Sequence, residues 1–317
     1  TSKLKWDTMV EIRRLQLIGQ EDGPHLLITG GVHGDEFEPR RAIRQLAGQI
    51  NADSLQGRLT LVPVANEAAF LRGERTAEDE LDLARTCPGN PGGSITERTA
   101  HALSELIRTA DFYIDLHTGG RIMSVWPLVG YKLVPDDKVL EDQRKMARAF
   151  NLPVVWGTDY RLQGRTLSAA RDANIPAIYA EYLGSGLCDA AGVDAYVEGC
   201  RNGMAELTML DRRPAHQPVA SRIRYEVEDH RENAGHMQIR NPSPQTGFFQ
   251  PAVQLGQTIS VGAVLGEVSD VLGERRTTVR SQEGGVVIVL RTFSRVLKGD
   301  ALAVILETDL FDAKVPR

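Results

Sequence analysis

Apolar positions in the first two thirds of the chain alternate between two periods. Residues 26–31 form a short, nearly unbroken apolar run, which suits a strand buried on both faces. Over 38–50 the apolar residues Ile43, Leu46, Ala47 and Ile50 recur at helical spacing. Residues 58–64 read as the next strand. Ser94, with Glu97 three residues on, is a capping box opening a helix whose apolar side holds Ala100, Leu103, Leu106 and Ile107. Strands follow at 112–116 and 122–129, then a helix over 136–150. A strand at 154–156, a short helix at 167–174, a strand at 177–183 and a helix at 189–210 complete the series. Strands alternating with helices predict an α/β fold, a mostly parallel mixed sheet flanked by helices. In such sheets ligands bind where the strands end.

The helical period stops near 213–219. Beyond it come short β-type runs at 222–227, 263–265, 277–279 and 285–290, separated by glycine turns. The reading is therefore a domain over residues 1–215 and a smaller all-β domain over 216–317. The glycine-punctuated tail, including Gly262-Ala263-Val264-Leu265-Gly266 and Gly284-Gly285-Val286-Val287, resembles the biotinyl/lipoyl-type hammerhead barrel. It has no Met-Lys pair of the kind a carrier domain modifies, so a structural role is expected.

The chain has 317 residues, 42% hydrophobic and 25% charged, with a formal net charge of −5. That balance is ordinary for a globular protein and makes no electrostatic case for nucleic acid or an anionic membrane as partner. No apolar stretch approaches the roughly 20 residues that span a bilayer. The first residues lack an apolar signal core, and three cysteines without a Cys-x-x-Cys argue against a disulfide framework. A cytoplasmic location is the expectation, and homo-oligomerisation stays open. The charge run from Arg72 to Asp82 reads as a solvated loop. Cys87 is the one cysteine near the chemistry described next.

Gly30-Gly31-Val32-His33-Gly34-Asp35-Glu36 follows the first buried strand. It sets an imidazole and a carboxylate three residues apart on a glycine-rich turn. A second imidazole, His117, ends the apolar run of Phe112-Tyr113-Ile114-Asp115-Leu116-His117. His33, Glu36 and His117 would give one Zn2+ per chain two nitrogens and one oxygen, with a position left open. Glu181 ends the run Ile178-Tyr179-Ala180, where a carboxylate could move a proton. Arg171, ten residues earlier, is a candidate substrate contact.

Together with Asp115-Leu116-His117 and Ala180-Glu181-Tyr182-Leu183-Gly184, the glycine-rich motif resembles the succinylglutamate desuccinylase/aspartoacylase family of the zinc carboxypeptidase superfamily. The resemblance implies zinc held by His33, Glu36 and His117, with Glu181 as general base. It implies hydrolysis of the amide of a small N-acyl amino acid by metal-activated water. By the same resemblance Asp82 would hydrogen-bond His33, Arg75 would stabilise the oxyanion, and Arg85 would grip a substrate carboxylate. The chain departs from the family pattern at Glu67, Ala84 and Cys87, which stand where Pro, Asn and Phe are usual. Ala84 removes an amide that would help bind the carboxylate. The stretch from Pro88 to Arg98 looks closest to bacterial deacetylase-like members, some acting on N-acetylated diamino acids. Two other readings stay open at this level: a metallocarboxypeptidase acting on peptides, and a non-catalytic binding protein on the same fold.

Overall fold

The computed structural model describes residues 10–210 and 220–308. The chain enters through an edge strand, β1 (Leu15–Ile18), and then β2 (Glu21–Gly30), which is buried from His25 onward. Along β2 the side chains alternate between two cores. Leu26 and Ile28 enter one and Leu27 the other, as the two-residue period of a strand requires. Next come α1 (Glu38–Gln49), β3 (Gln56–Val62), α2 (Glu67–Arg72) and α3 (Ile95–Ile107). The capping box at the start of α3 forms as its spacing predicts. Glu97 N donates to Ser94 Oγ at 3.4 Å, and Ser94 N donates to Glu97 Oε2 at 2.7 Å.

The series continues with β4 (Phe112–His117), β5 (Met123–Lys132), α4 (Asp137–Phe150), β6 (Val154–Thr158), α5 (Thr166–Asp172), β7 (Ala177–Gly184), α6 (Ala190–Glu206) and β8 (Tyr225–Glu228). These strands line up in the order β1-β3-β2-β4-β7-β5-β6-β8. Only β1 against β3 and β5 against β7 are antiparallel, so the mostly parallel mixed sheet is as expected. Helices α1, α4 and α6 cover one face through Ile43, Leu46, Met146, Phe150 and Tyr196. Helices α3 and α5 cover the other through Leu103, Ile107, Leu167 and Ala170. Each such side chain, fully buried, contributes about 1.5–3 kcal/mol.

Strand β5 runs to Lys132, beyond the predicted end at 129, because β6 pairs with it over Leu128–Lys132. Its first residues, Met123–Val125, pair instead with the tail.

The expected boundary at 213–219 lies outside the described residues. The second half of residues 222–227, counted with the tail from their pattern, lies in β8, and β8 pairs with β6 inside the main sheet. The tail proper contains β9 (Gly247–Pro251), β10 (Thr258–Ile259), β11 (Val264–Ser269), β12 (Arg276–Arg280), β13 (Gly285–Arg291), β14 (Arg295–Val296) and β15 (Ala303–Leu306). One of its sheets is separate, in the order β12-β11-β9-β14. The other, built on β13 with β10 and β15, continues the main sheet through Val289–Arg291 against Met123–Val125.

Candidate active site

The loop leaving β2 is held by backbone. Ala65 N donates to the Gly30 carbonyl and Asn66 N to the Gly31 carbonyl, each at 2.9 Å. Gly31 has φ +66°, the left-handed region that glycine tolerates. A Cβ at Gly34 would lie 2.1 Å from the Ala69 carbonyl oxygen and 2.2 Å from that of Glu74, so the loop can pack there only without a side chain. Arg40 of α1, itself buried, donates from Nη2 to the His33 carbonyl at 2.8 Å. These constraints turn His33 and Glu36 inward, both buried. His117 is the last residue of β4. The parallel register of β4 with β7 sets His117 directly beside Glu181.

The three predicted ligands converge. One donor atom each from His33, Glu36 and His117 all lie within 4.8 Å of one another. His33 Nδ1 is 2.7 Å from Glu36 Oε1 and His117 Nδ1 is 3.2 Å from Glu36 Oε2. The opposite nitrogens face two further carboxylates. His33 Nε2 is 3.0 Å from Asp82 Oδ1, and His117 Nε2 is 2.9 Å from Asp115 Oδ2. A carboxylate accepting from each Nε2–H leaves Nδ1 as the inward lone pair, the tautomer a metal ligand needs.

The charges point the same way. Burial disfavours the ionised form of Glu36, but His33 and His117 outweigh it and hold its carboxyl well below the usual range. Burial likewise works against a charged His117, yet Asp115 and Glu36 raise it well above the ordinary imidazole value. Carboxylates packed around buried imidazoles are built to hold positive charge, and a divalent cation meets that demand. The donor set, two imidazole nitrogens and one carboxylate, fits a catalytic zinc site.

These residues open on a cavity of about 170 Å³. Glu181 lines it, and its Oε2 is buried without a hydrogen-bond partner in the described structure. Burial pushes its carboxyl up to about 8, against the pull of His117. Arg75 also lines it. Its Nε and Nη2 donate to Asp82 Oδ2 at 3.2 and 3.0 Å, so Asp82 joins His33 to Arg75. Ala84 and Arg85 line the same space.

The run from Arg72 to Asp82 is thus more than a solvated loop. It carries Arg75 and Asp82 to the cavity, and Asp79 accepts from Thr96 N at 2.9 Å at the start of α3. Arg171 is not among the cavity-lining residues. Its guanidinium donates to the Tyr160 and Leu162 carbonyls and to Gln163 Oε1 and pairs with Asp172, and those partners replace the expected substrate contact. Cys87 is buried off the cavity, and burial pushes its thiol up to about 12.

Seven contributions escaped the sequence reading. Asp115, two residues before His117 on the same strand face, was detectable from the two-residue period. Lys132, Arg165 and Tyr179 line the cavity, as do Gly235, Met237 and Val289 from beyond residue 220. A lysine ending an otherwise apolar strand was a signal. The contributions from the tail had none, because only tertiary packing brings them over the site.

A mixed sheet with helices on both faces and a His–Glu–His cluster at its strand ends places the chain among the carboxypeptidase-like α/β proteins. Comparison with known proteins goes further. Residues 22–206 match the succinylglutamate desuccinylase/aspartoacylase catalytic domain, and the chain belongs to that family. It is 28% identical over 309 residues to N-alpha-acetyl-L-2,4-diaminobutyric acid deacetylase of Halomonas elongata, covering 92% of this chain and 84% of that protein. Among solved structures, the product-bound ectoine utilization protein EutE (DoeB) of Ruegeria pomeroyi superposes with a TM-score of 0.83 at 26% identity, covering 93% of this chain and 89% of that one. A succinylglutamate desuccinylase/aspartoacylase from Rhodobacter sphaeroides gives 0.82 at 27% identity, covering 94% and 90%. No helix among the described residues is long and apolar enough to cross a membrane.

Proposed function

We propose that this chain is a zinc-dependent hydrolase that removes a small acyl group from the amino group of an amino acid. The observation that carries the reading is the convergence of His33, Glu36 and His117, within 4.8 Å of one another, on a cavity that also holds Glu181 and Arg75. Relatives named for deacetylase and desuccinylase activity support the reaction class.

His33, Glu36 and His117 would hold the ion. Zinc there supplies a Lewis acid for the amide carbonyl and makes water a competent nucleophile near neutral pH. The remaining work falls to the chain. Glu181, with an unpartnered buried oxygen, accepts the proton of the attacking water and returns it to the leaving amine. A carboxyl with its affinity for protons raised by burial suits both halves of that transfer. Arg75, aimed by Asp82, faces the position where negative charge develops on the carbonyl oxygen. Arg85 meets a substrate carboxylate.

The walls from Gly235, Met237 and Val289 favour a small substrate over the peptide of a carboxypeptidase, which needs an open groove. The test is a mass-spectrometric screen of N-acetyl, N-succinyl and N-formyl amino acids against a short peptide panel, with the zinc content of the protein measured alongside. Release of a free amino acid by a protein holding about one zinc per chain is expected. Peptide cleavage alone, or no zinc uptake on titration, refutes the proposal.

A further inference from the structure

Lys132 ends β5 with its side chain inside the cavity wall, at 4% exposure. Its Nζ donates to the Asp159 carbonyl oxygen at 3.1 Å and lies 3.5 Å from Thr158 Oγ1. Both are neutral acceptors. Arg165, at the start of α5, lines the same cavity, and its Nη1 donates to the Gln163 carbonyl at 3.4 Å. Among the described residues neither Lys132 nor Arg165 makes an ion pair.

The charged groups around Lys132 are nearly all of one sign. The charges of Arg165, Arg171 and Arg85 act on it, and those of Arg165, Arg85, Arg240 and Lys132 itself act on His236. Asp159, the acid that acts on it most among the described residues, is engaged elsewhere: its carboxylate accepts from Arg161 Nε at 2.7 Å and from Asn233 N at 2.9 Å. The cavity's own acids, Glu36 and Glu181, sit around His117: Glu36 Oε2 is 3.2 Å from His117 Nδ1, and Glu181 is its register partner on β7. Burial, reinforced by Arg165, pushes the Lys132 amine down to about 7. A buried cation with neutral partners is costly, and an incoming anion removes that cost.

Strand register gives the distance. Leu128 lies opposite Glu181 and Gly130 opposite Tyr179 in the antiparallel β5–β7 pair. Lys132 therefore sits four residues past the level of Glu181, about 13 Å along the backbone at ~3.3 Å per residue. Gly130 leaves room for the Tyr179 ring between them, since a Cβ there would meet Tyr179 Cε1 at 2.1 Å. Less the reach of the two side chains, that span suits a small amino-acid derivative. Ala84, on the same wall as Arg85, offers only a methyl.

We propose that Lys132 and Arg165, on the same cavity as Arg85, complete its carboxylate-binding subsite as further anion ligands. The substrate lies with its amide at the Glu181 end and its free acid at the Lys132 end. This rests on the deacylase reading for the identity of the amide, and on the cavity alone for the anion.

The test is calorimetric titration of the zinc-loaded protein with glutarate, a diacid able to reach both ends, and with butyrate, which reaches one. Wild type is expected to bind glutarate about tenfold or more tighter than butyrate. Lys132→Met and Arg165→Gln should each lose about tenfold for glutarate while butyrate affinity stays the same. With a turned-over N-acyl amino acid, Lys132→Met should raise KM by a similar factor and leave kcat nearly unchanged. Lys132→Met binding glutarate as tightly as wild type overturns the subsite. If that variant does not fold, unchanged glutarate affinity in Arg165→Gln overturns it instead. Hydrolysis of no N-acyl amino acid, with the glutarate difference intact, refutes the deacylase reading and leaves the subsite standing.

Discussion

Asp115→Asn is the sharpest probe of how the candidate metal centre is tuned. Asp115 is fully buried, with Oδ2 2.9 Å from His117 Nε2. Thr29 Oγ1 donates to Oδ1 at 2.7 Å, and Thr166 Oγ1 donates to Oδ2. Burial opposes the charge, but His117 and the two hydroxyls outweigh it and keep the carboxylate below its usual range. An asparagine has the same shape. It can keep its oxygen toward His117 and Thr166 and turn its NH2 to Thr29 Oγ1. The Thr29 hydroxyl then donates to Tyr113 Oη, 2.7 Å away. Every hydrogen bond survives and the fold should hold; what is lost is the negative charge behind His117. Losing such a partner costs about 10–100-fold in metal affinity, or about 1.4–2.8 kcal/mol. Competition with a chromophoric chelator measures the zinc dissociation constant directly, and thermal unfolding checks the fold. Zinc affinity within twofold of wild type in a folded Asp115→Asn protein would refute the reasoning.

Glu181→Gln keeps the shape and removes the base; kcat should fall by about a hundredfold or more while zinc content stays the same, and near-wild-type turnover would reassign the proton transfer. Gly34→Ala places a methyl about 2 Å from two backbone carbonyls, so the loop must move: zinc stoichiometry should drop and the unfolding midpoint fall, with a loss of about 1–3 kcal/mol in denaturant titrations. Glu228 accepts from Arg144 Nε and Nη2 at 2.7 and 2.9 Å and from Tyr131 Oη at 2.6 Å. Burial works against its charge, but these partners prevail and depress its pKa. A depressed carboxyl contributes stability above its unfolded value, about 4.3, and loses it as pH falls through the folded value. The Tm gap between wild type and Glu228→Gln should therefore be widest near neutrality and close below about pH 4; a gap independent of pH would contradict the assignment.

Much of the site was legible because its signals are local. His33 and Glu36 share one glycine-rich turn, and the turn needs glycine for reasons that sit within a few residues. His117 and Glu181 each end a short apolar run, and strand ends are where such sheets expose chemistry. The capping box at Ser94 and Glu97 formed because its geometry spans a single helical turn. Arg171 misled because a spacing of ten residues, across a helix and a turn, does not determine direction. On α5 it points to the loop carbonyls, while Arg165, six residues earlier, faces the cavity.

Residue periodicity by itself determined most strands and helices of the main sheet, since the two- and 3.6-residue periods are set by covalent geometry and show wherever one side of an element is buried. The motifs at the strand ends also singled out His33, Glu36 and His117, which the fold brings within 4.8 Å of one another. Tertiary structure alone decided that β8 returns to the main sheet and that Lys132 and residues of the tail close the cavity. Those outcomes depend on strand register and on contacts between distant segments, 71 residues apart for Val154 and Tyr225 and 164 for Val125 and Val289. No local pattern encodes them, because the energy that selects them appears only when the surfaces meet.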